Sequence, residues 1–213
     1  MTDVGSVLDK VLSNYQTSHV KKEQEILAKH SGQLHGSKCV ISTPLPDGVI
    51  AKLRAGDSVL LSGSIYTGRD AAHKRMVEML GAGKSLPFDV QGQAIYYAGP
   101  CPAPPGRVIG SVGPTTSLRM DAYSPRMIKE GLRVMIGKGS RNESVIDAIR
   151  RYKGVYMTAI GGTGALMALC VEGAELIAFE DLGAEAVYRL VVRDMPLIVA
   201  IDSRGGSIYG LCK

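Results

Sequence analysis

Residues 113–121 combine the residue types that bind a small carboxylate. Their sequence, GPTTSLRMD, places two adjacent hydroxyls, Thr115 and Thr116, shortly before Arg119. A turn of this composition presents backbone N–H groups and hydroxyls to an anion. A guanidinium also matches a carboxylate with two parallel hydrogen bonds, which a lysine ammonium does not do. The segment therefore predicts a carboxylate-binding loop.

Two further cations, Arg69 and Lys138, stand beside glycines in turns that follow predicted strands. Arg69 falls in the first turn of a predicted helix, where the helix dipole disfavours a cation, so its position indicates a ligand more than a surface role. Lys138 follows a strand's carboxyl end, where α/β sheets usually keep their ligands. Convergence of these cations with the 113–121 loop would suit a substrate with more than one carboxylate.

His73 and Thr115 are the candidates for proton transfer. His73 lies one turn into the predicted helix, on the face of its first arginine, and imidazole titrates near neutral pH. Thr115 is a weak base unless cations such as Arg119 and Lys138 stabilise its alkoxide character. The alternatives are a packed histidine without chemistry, and hydroxyls of Thr115 and Thr116 that simply cap the following turn.

Other motifs are less specific. The run GGTG at 161–164 resembles a dinucleotide turn, but it lacks the G-x-G-x-x-G spacing, so a tight turn against a helix is the preferred interpretation. Glu180, Asp181 and Asp202 are possible proton-transfer carboxylates, for which solvated or capping roles are the preferred alternative.

The elements that must position these residues alternate between strand and helix. Strands are predicted near residues 40–41 and at 58–65, 93–98, 133–136, 155–160, 176–179, 189–192 and 197–201, with helices at 69–80, 125–130 and 143–152. Half of the ten prolines fall in 100–114, which predicts an irregular connection. The pattern predicts an α/β layered domain with a mixed sheet.

The chain is expected to divide into an N-terminal helical arm, residues 1–35, and a domain of residues 36–213. Apolar residues at helical spacing indicate that the arm is amphipathic. The four cysteines stand far apart without a C-x-x-C pair, so no metal ligand set is predicted in this chain.

Composition excludes several classes of protein. A formal charge of +5 over 213 residues, two Phe, no Trp and no long basic run argue against a nucleic-acid partner. No apolar run is long enough for a membrane span, and the first residues lack a signal-peptide pattern. A cytoplasmic protein is expected.

Several motifs in order resemble the C-terminal domain of class I, iron–sulfur-dependent fumarases (fumarate hydratases), a domain that also occurs as a separate β subunit. The resemblance extends from about residue 37 to 209, with the tartrate dehydratase β subunit more distant around 71–73. The motifs that carry it are TGRDAAHKR (67–75), YYAGP (96–100), GPTT (113–116) with RMD (119–121), GK (137–138) and AFEDLG (178–183).

The resemblance implies a hydro-lyase of the tricarboxylic acid cycle that reversibly hydrates fumarate to L-malate, and a swivelling β/β/α domain. It also implies a 4Fe-4S cluster, ligated by a partner α subunit in a hetero-oligomer, whose open iron acts as a Lewis acid. Family substrate-binding positions correspond to Arg69, Thr115, Arg119 and Lys138, with Thr116 beside them. A tartrate or other hydroxy-diacid dehydratase and a non-catalytic anion-sensing module are the alternatives.

Overall fold

The computed structural model describes residues 39–160 and 162–210, so the predicted arm and the predicted domain boundary at residue 36 lie outside the described residues. Short 3-10 turns occur at Ser117–Met120, Glu180–Glu185 and Ile208–Gly210. The strands are β1 Cys39–Ser42, β2 Ser58–Thr67, β3 Ala94–Tyr96, β4 Val134–Gly137, β5 Val155–Thr158, β6 Val171–Ala178 and β7 Val187–Ile201; the helices are α1 Asp47–Ile50, α2 Asp70–Gly81, α3 Ser124–Lys129, α4 Glu143–Tyr152 and α5 Gly164–Leu169.

The strands form one mixed sheet that closes on itself. Strands β2, β3, β4 and β5 are parallel neighbours, and β7 pairs antiparallel with both β5 and β2, which completes a five-stranded ring. Strand β1 adds to β2, and β6 adds to β7. The predicted mixed α/β class is confirmed, and the ring is a feature that the sequence pattern did not indicate.

The two strands predicted at 189–192 and 197–201 are parts of the single strand β7. The residues between them include Pro196, which suggested a break. The chain instead continues through an irregularity in which Asp194 has a φ of 49° and the pairing with β2 shifts register between Leu61 and Gly63. A bulge of this kind bends a strand without ending it, so β7 can pair with β2 along its length and reach β5.

Alternation along the strands sends side chains into two buried clusters. In β3, Ala94 and Tyr96 join a cluster shared by all the ring strands, whereas Ile95 joins a second cluster with residues of the helices. Met135 of β4 and Tyr156 of β5 also belong to this second cluster. Because both faces are covered, these strands are almost continuously apolar in sequence.

The parallel order brings four strand ends to one edge of the sheet. Gly68 N–H donates to the Tyr96 carbonyl at 3.1 Å, and Tyr97 N–H donates to the Ile136 carbonyl at 2.7 Å. Ala159 N–H likewise donates to a carbonyl at the end of β4, that of Gly137, at 2.9 Å. The residues that follow these strands, among them Arg69 and Lys138, therefore lie along one edge of the sheet. We call this edge the rim.

In the described part of the chain, no helix has the length and apolar character needed to cross a membrane. The cytoplasmic location stays a prediction.

Candidate active site

The 113–121 loop lies along this rim and pairs with the residue that extends β4. Thr115 N–H donates to the Tyr97 carbonyl at 2.7 Å, and Lys138 N–H donates to the Thr115 carbonyl at 3.3 Å. Ser117 N–H in turn donates to the Lys138 carbonyl at 2.9 Å. The main chains of the predicted hydroxyl loop and the predicted lysine turn are therefore neighbours.

Gly137 permits this close approach. A Cβ at this position would overlap the Ser117 hydroxyl and would lie 2.8 Å from the Cδ2 atom of Tyr97. The Ser117 hydroxyl is itself hydrogen bonded to the Tyr156 hydroxyl at 2.9 Å. A side chain at position 137 would consequently push the loop away from β4.

The hydroxyls of the loop are not used in capping. Thr116 immediately precedes the 3-10 turn Ser117–Met120, but its side chain makes no capping hydrogen bond. Within residues 39–160 and 162–210, neither Thr115 nor Thr116 uses its hydroxyl in a hydrogen bond, and no ion pair involves Lys138. Thr115 and Lys138 are half-buried and Thr116 is exposed, so all three residues are accessible to solvent.

Arg69 precedes helix α2 and is ion-paired with Glu185. Its guanidinium Nη2 lies 3.1 Å from Glu185 Oε1, while Glu185 Oε2 accepts a hydrogen bond from the Ala71 N–H at 3.1 Å. The carboxylate thus satisfies an N–H group of the helix start and offsets the unfavourable position of the cation. Glu185 could not be identified from the sequence, because no spacing rule connects it with residues more than 110 positions earlier.

Arg119 is paired with Asp70, the first residue of α2. The distance from Arg119 Nη2 to Asp70 Oδ2 is 2.8 Å. Burial raises the pKa of Asp70, but the hydrogen bond from Arg119 and the charges of Arg119 and Arg69 outweigh it, so the pKa is below its usual value. From the sequence, Asp70 was expected to be an ordinary first-turn acid; in the structure it is also the ion-pair partner of Arg119.

His73 is completely buried behind this rim. Its Nδ1 atom lies 2.9 Å from the Arg69 carbonyl, which accepts hydrogen bonds only, so Nδ1 carries the proton and Nε2 is bare. No described residue provides a partner for Nε2. Burial, reinforced by the charge of Arg141, lowers the pKa of His73 to about 4, so the ring is neutral near neutral pH.

Other residues from the sequence analysis have structural roles. Asp202 is buried, and its carboxylate accepts N–H groups from Ala55, Arg204 and Gly206. Asp181 is exposed and forms a bidentate pair with Arg75 on α2. Glu180 is exposed as well.

Gly164, the last residue of the GGTG run, lies against the residues that precede the 113–121 loop. The Gly164 carbonyl accepts a hydrogen bond from the Val112 N–H at 3.0 Å, just before the 113–121 loop begins. A Cβ on Gly113 would lie 3.3 Å from the Gly164 Cα, so the two backbones pass close together. Gly164 therefore helps to fix the residues at which the loop begins.

A buried residue that the sequence analysis did not select is Arg141, whose side chain has no exposed surface. It pairs with Asp121, the last residue of the loop. Asp121 belonged to the motif noted in the sequence, but an arginine two residues before a helix gives no signal of burial.

Fold and site together define a mixed α/β barrel domain in which Arg69 and Lys138 follow strand ends, and the loop that carries Thr115, Thr116 and Arg119 pairs with the same edge. The chain belongs to the family described as Fumarase C-terminus, whose sequence profile matches residues 10–211. This confirms the family that the motifs resembled, and the match begins earlier than expected, at residue 10 and not near residue 37.

The chain matches both proteins that are much longer than itself and a separate subunit of similar length. It is 34% identical over 186 residues to the anaerobic class I fumarate hydratase of Escherichia coli K12, covering 85% of this chain and 34% of that protein. It is 42% identical over 166 residues to a putative L(+)-tartrate dehydratase subunit beta of Methanocaldococcus jannaschii, covering 75% of this chain and 85% of that protein. The chain thus spans about a third of the fumarate hydratase and most of the separate subunit.

The described residues do not fit a metal or cluster site. Between residues 39–160 and 162–210, no group of three or more His, Cys, Asp or Glu residues could hold a metal ion. Cys39 and Cys101 are free and exposed, and Cys170 is free and half-buried.

Proposed function

We propose that this chain is the β subunit of an iron–sulfur hydro-lyase that reversibly hydrates fumarate to L-malate, and that it supplies the carboxylate-binding half of the active site. The observation that carries the proposal is the shared rim. Arg69, Thr115 and Lys138 follow strand ends or pair with them, and Arg119 reaches Arg69's helix through Asp70. Family membership points to the same chemistry.

The reaction explains why several cations are needed. Dehydration of malate removes a weakly acidic C–H proton beside a carboxylate, and the developing negative charge spreads onto that carboxylate. Cations already held in place stabilise this charge, and such preorganised electrostatics is usually the largest catalytic contribution. We assign Arg69, Arg119 and Lys138 to the substrate carboxylates, with Thr116 as a further hydrogen-bond donor.

The ion pairs of the two arginines support this assignment. Arg69 and Arg119 each hold one carboxylate of the chain itself, at 3.1 and 2.8 Å respectively. A guanidinium in that position is geometrically able to hold a substrate carboxylate in the same manner. Asp70 is the more exposed of the two acids and is the one that a substrate would displace.

Thr115 is the better candidate for proton transfer. Its half-buried hydroxyl has no partner in the described part of the chain, and its main chain is fixed at both its N–H and its carbonyl. His73 is buried, and its Nδ1–H is already used on the Arg69 carbonyl. We therefore assign His73 the task of holding the main chain at Arg69.

The 4Fe-4S cluster and the α subunit that would ligate it belong to the proposal. The described residues offer no metal site, so departure of the substrate hydroxyl is assigned to the partner. The proposal includes a hetero-oligomer and a swivelling β/β/α domain, both as expected from the family.

A second candidate is a tartrate dehydratase β subunit. It is favoured by the match to the M. jannaschii protein, which has the higher identity, 42%, and is covered over 85% of its length. Tartrate is also a hydroxy-diacid, so the same rim would serve, and the site described above does not distinguish the two substrates.

The test is reconstitution with a cluster-bearing α subunit under anaerobic conditions, followed by turnover assays with fumarate, L-malate and the tartrates. Hydration of fumarate supports the proposal, and turnover of a tartrate alone supports the second candidate. Diacid binding without any turnover would favour an anion-sensing module. Arg119→Ala should abolish most turnover, whereas Arg54→Ala, which removes an arginine that binds carbonyls before β2, should not.

A further inference from the structure

A buried ion pair lies beneath the rim, between the 113–121 loop and the turn that follows β4. Arg141 Nε donates to Asp121 Oδ1 at 2.7 Å, and the exposed fractions of the two side chains are 0% and 3%. The two residues belong to different loops of the site. Neither residue is among the groups assigned above to the substrate.

The guanidinium of Arg141 makes further polar and aromatic contacts. Its Nη2 donates to the Ser124 hydroxyl at 2.7 Å, and Nη1 lies 3.5 Å from the Tyr97 hydroxyl. The charged group also faces two aromatic rings, with centroids 5.2 Å away for Tyr97 and 4.9 Å away for Tyr156. Its geometry is therefore specified from several sides.

The same network fastens both loops to each other. Asp121 Oδ2 accepts the Asn142 N–H at 2.7 Å, which joins the end of the hydroxyl loop to the start of α4. The Tyr156 hydroxyl donates to the Gly139 carbonyl at 2.8 Å and hydrogen bonds the Ser117 hydroxyl at 2.9 Å. Each link joins the segment that carries Thr115 and Arg119 to the segment that carries Lys138.

A buried pair of this kind is weak evidence for stability, because well-packed apolar residues of similar volume often stabilise as well or better. What apolar residues do not reproduce is the directional hydrogen bonding that fixes one loop against the other. Catalytic groups must be held within about half an ångström of the productive geometry. The pair joins the two loops that carry the groups assigned to the substrate.

We propose that Arg141 and Asp121 are positioning residues, whose buried pair sets the Thr115–Arg119 loop against Lys138 so that the hydroxyl and the cations act on one substrate. The proposal rests on the proposed function. Arg141 and Asp121 act through the loops and do not contact the substrate. Loss of the pair shifts the loops, and shifts of about 1 Å can cost on the order of 100-fold in rate.

The test compares Arg141→Lys with Arg54→Lys in the full chain. Lysine keeps the charge but loses the bond to Ser124 and the planar contact with the rings, so hydrogen exchange at the Ser117 and Lys138 amides should accelerate at least tenfold. In the reconstituted complex, kcat should fall about 10- to 100-fold in Arg141→Lys. Arg54→Lys should leave both measurements unchanged.

The outcomes separate the two proposals. Inactivity of the wild-type complex defeats the proposed function, while the exchange experiment still reports whether the pair holds the loops. An active wild type with unchanged exchange and kcat in Arg141→Lys overturns the positioning role.

Milder variants cover the case in which Arg141→Lys does not fold. Tyr156→Phe removes the hydroxyl that links the loops, and Val199→Ala weakens the buried core of β7 without removing any of the hydrogen bonds that link them. Faster exchange at Ser117 and lower kcat in Tyr156→Phe, but not in Val199→Ala, supports the positioning role. Equal effects in both variants overturn it.

Discussion

The buried imidazole of His73 should make the stability of this chain depend on pH in a defined direction. Its pKa is about 4 in the folded protein and 6.5 when exposed, because burial disfavours the charged form. Between these values the unfolded chain binds the proton more tightly. The contribution of neutral His73 to the free energy of unfolding is therefore complete above pH 6.5 and is lost as the pH falls towards 4.

The magnitude follows from this span. Each pH unit corresponds to about 1.4 kcal/mol, so acidification from pH 6.5 to 4 should remove about 3 kcal/mol of the free energy of unfolding through this one residue. Asp70 and Asp181 also have lowered pKa values and add to the acid sensitivity of the wild type. A comparison with a variant at position 73 separates the histidine from these carboxylates.

The assay is urea unfolding of the full chain and of His73→Asn at a series of pH values from 4.5 to 7.5. The asparagine amide can donate to the Arg69 carbonyl but does not titrate. The advantage of the wild type over the variant should shrink by about 2 to 3 kcal/mol across this range. Parallel pH dependences of the two proteins would refute the buried, neutral imidazole.

The same burial makes a prediction for the assembled enzyme. A neutral His73 contributes no ionisation near pH 6.5 to the profile of kcat/KM. If such an ionisation were present in the wild type and absent in His73→Asn, the histidine would titrate at the site and would be the proton-transfer group.

Three further outcomes follow from the rim. Asp70→Asn removes the carboxylate that pairs with Arg119, so KM for the diacid should fall severalfold in steady-state assays. An unchanged or higher KM would disprove competition between Asp70 and the substrate for Arg119. Lys138→Ala should lower kcat/KM by about 100-fold, with partial recovery in Lys138→Arg, since a charge-stabilising donor is typically worth that much; equal activities of the two variants would contradict a charge role. Gly137→Ala should displace Ser117 and lower kcat, even where its melting temperature falls no further than that of the core variant Val199→Ala. Val199→Ala should lower the melting temperature with little change in kcat.

Much of the fold was visible in the sequence because its elements are locally specified. Helix α4 was predicted at 143–152 and is found at Glu143–Tyr152, where Asn142 supplies a side-chain cap. The sequence predicted two strands in place of β7, because a proline usually marks the end of a strand and the nearby bulge cannot be seen in the sequence. Ring closure was missed because pairing of β2 with β7 joins segments more than 120 residues apart.

The candidate site shows the same division. Arg69 and Lys138 could be selected because glycines and predicted strand ends mark turns where ligands bind. Their partners could not: Glu185 and Arg141 acquire their roles from residues brought close by the barrel, and their sequence neighbours are ordinary. Asp70 shows how a local rule can be sufficient and incomplete. The preference for acidic residues in the first turn of a helix explained its position, but gave no indication of its pairing with Arg119.

The most direct test of the account is the rate of fumarate hydration by the anaerobically reconstituted complex, measured for the wild-type chain and for Arg119→Ala. The account predicts turnover by the wild type and a loss on the order of 100-fold in the variant, because one preorganised donor to the reacting carboxylate is typically worth that much. Hydration at the wild-type rate by Arg119→Ala would contradict the claim that this chain binds the substrate carboxylates.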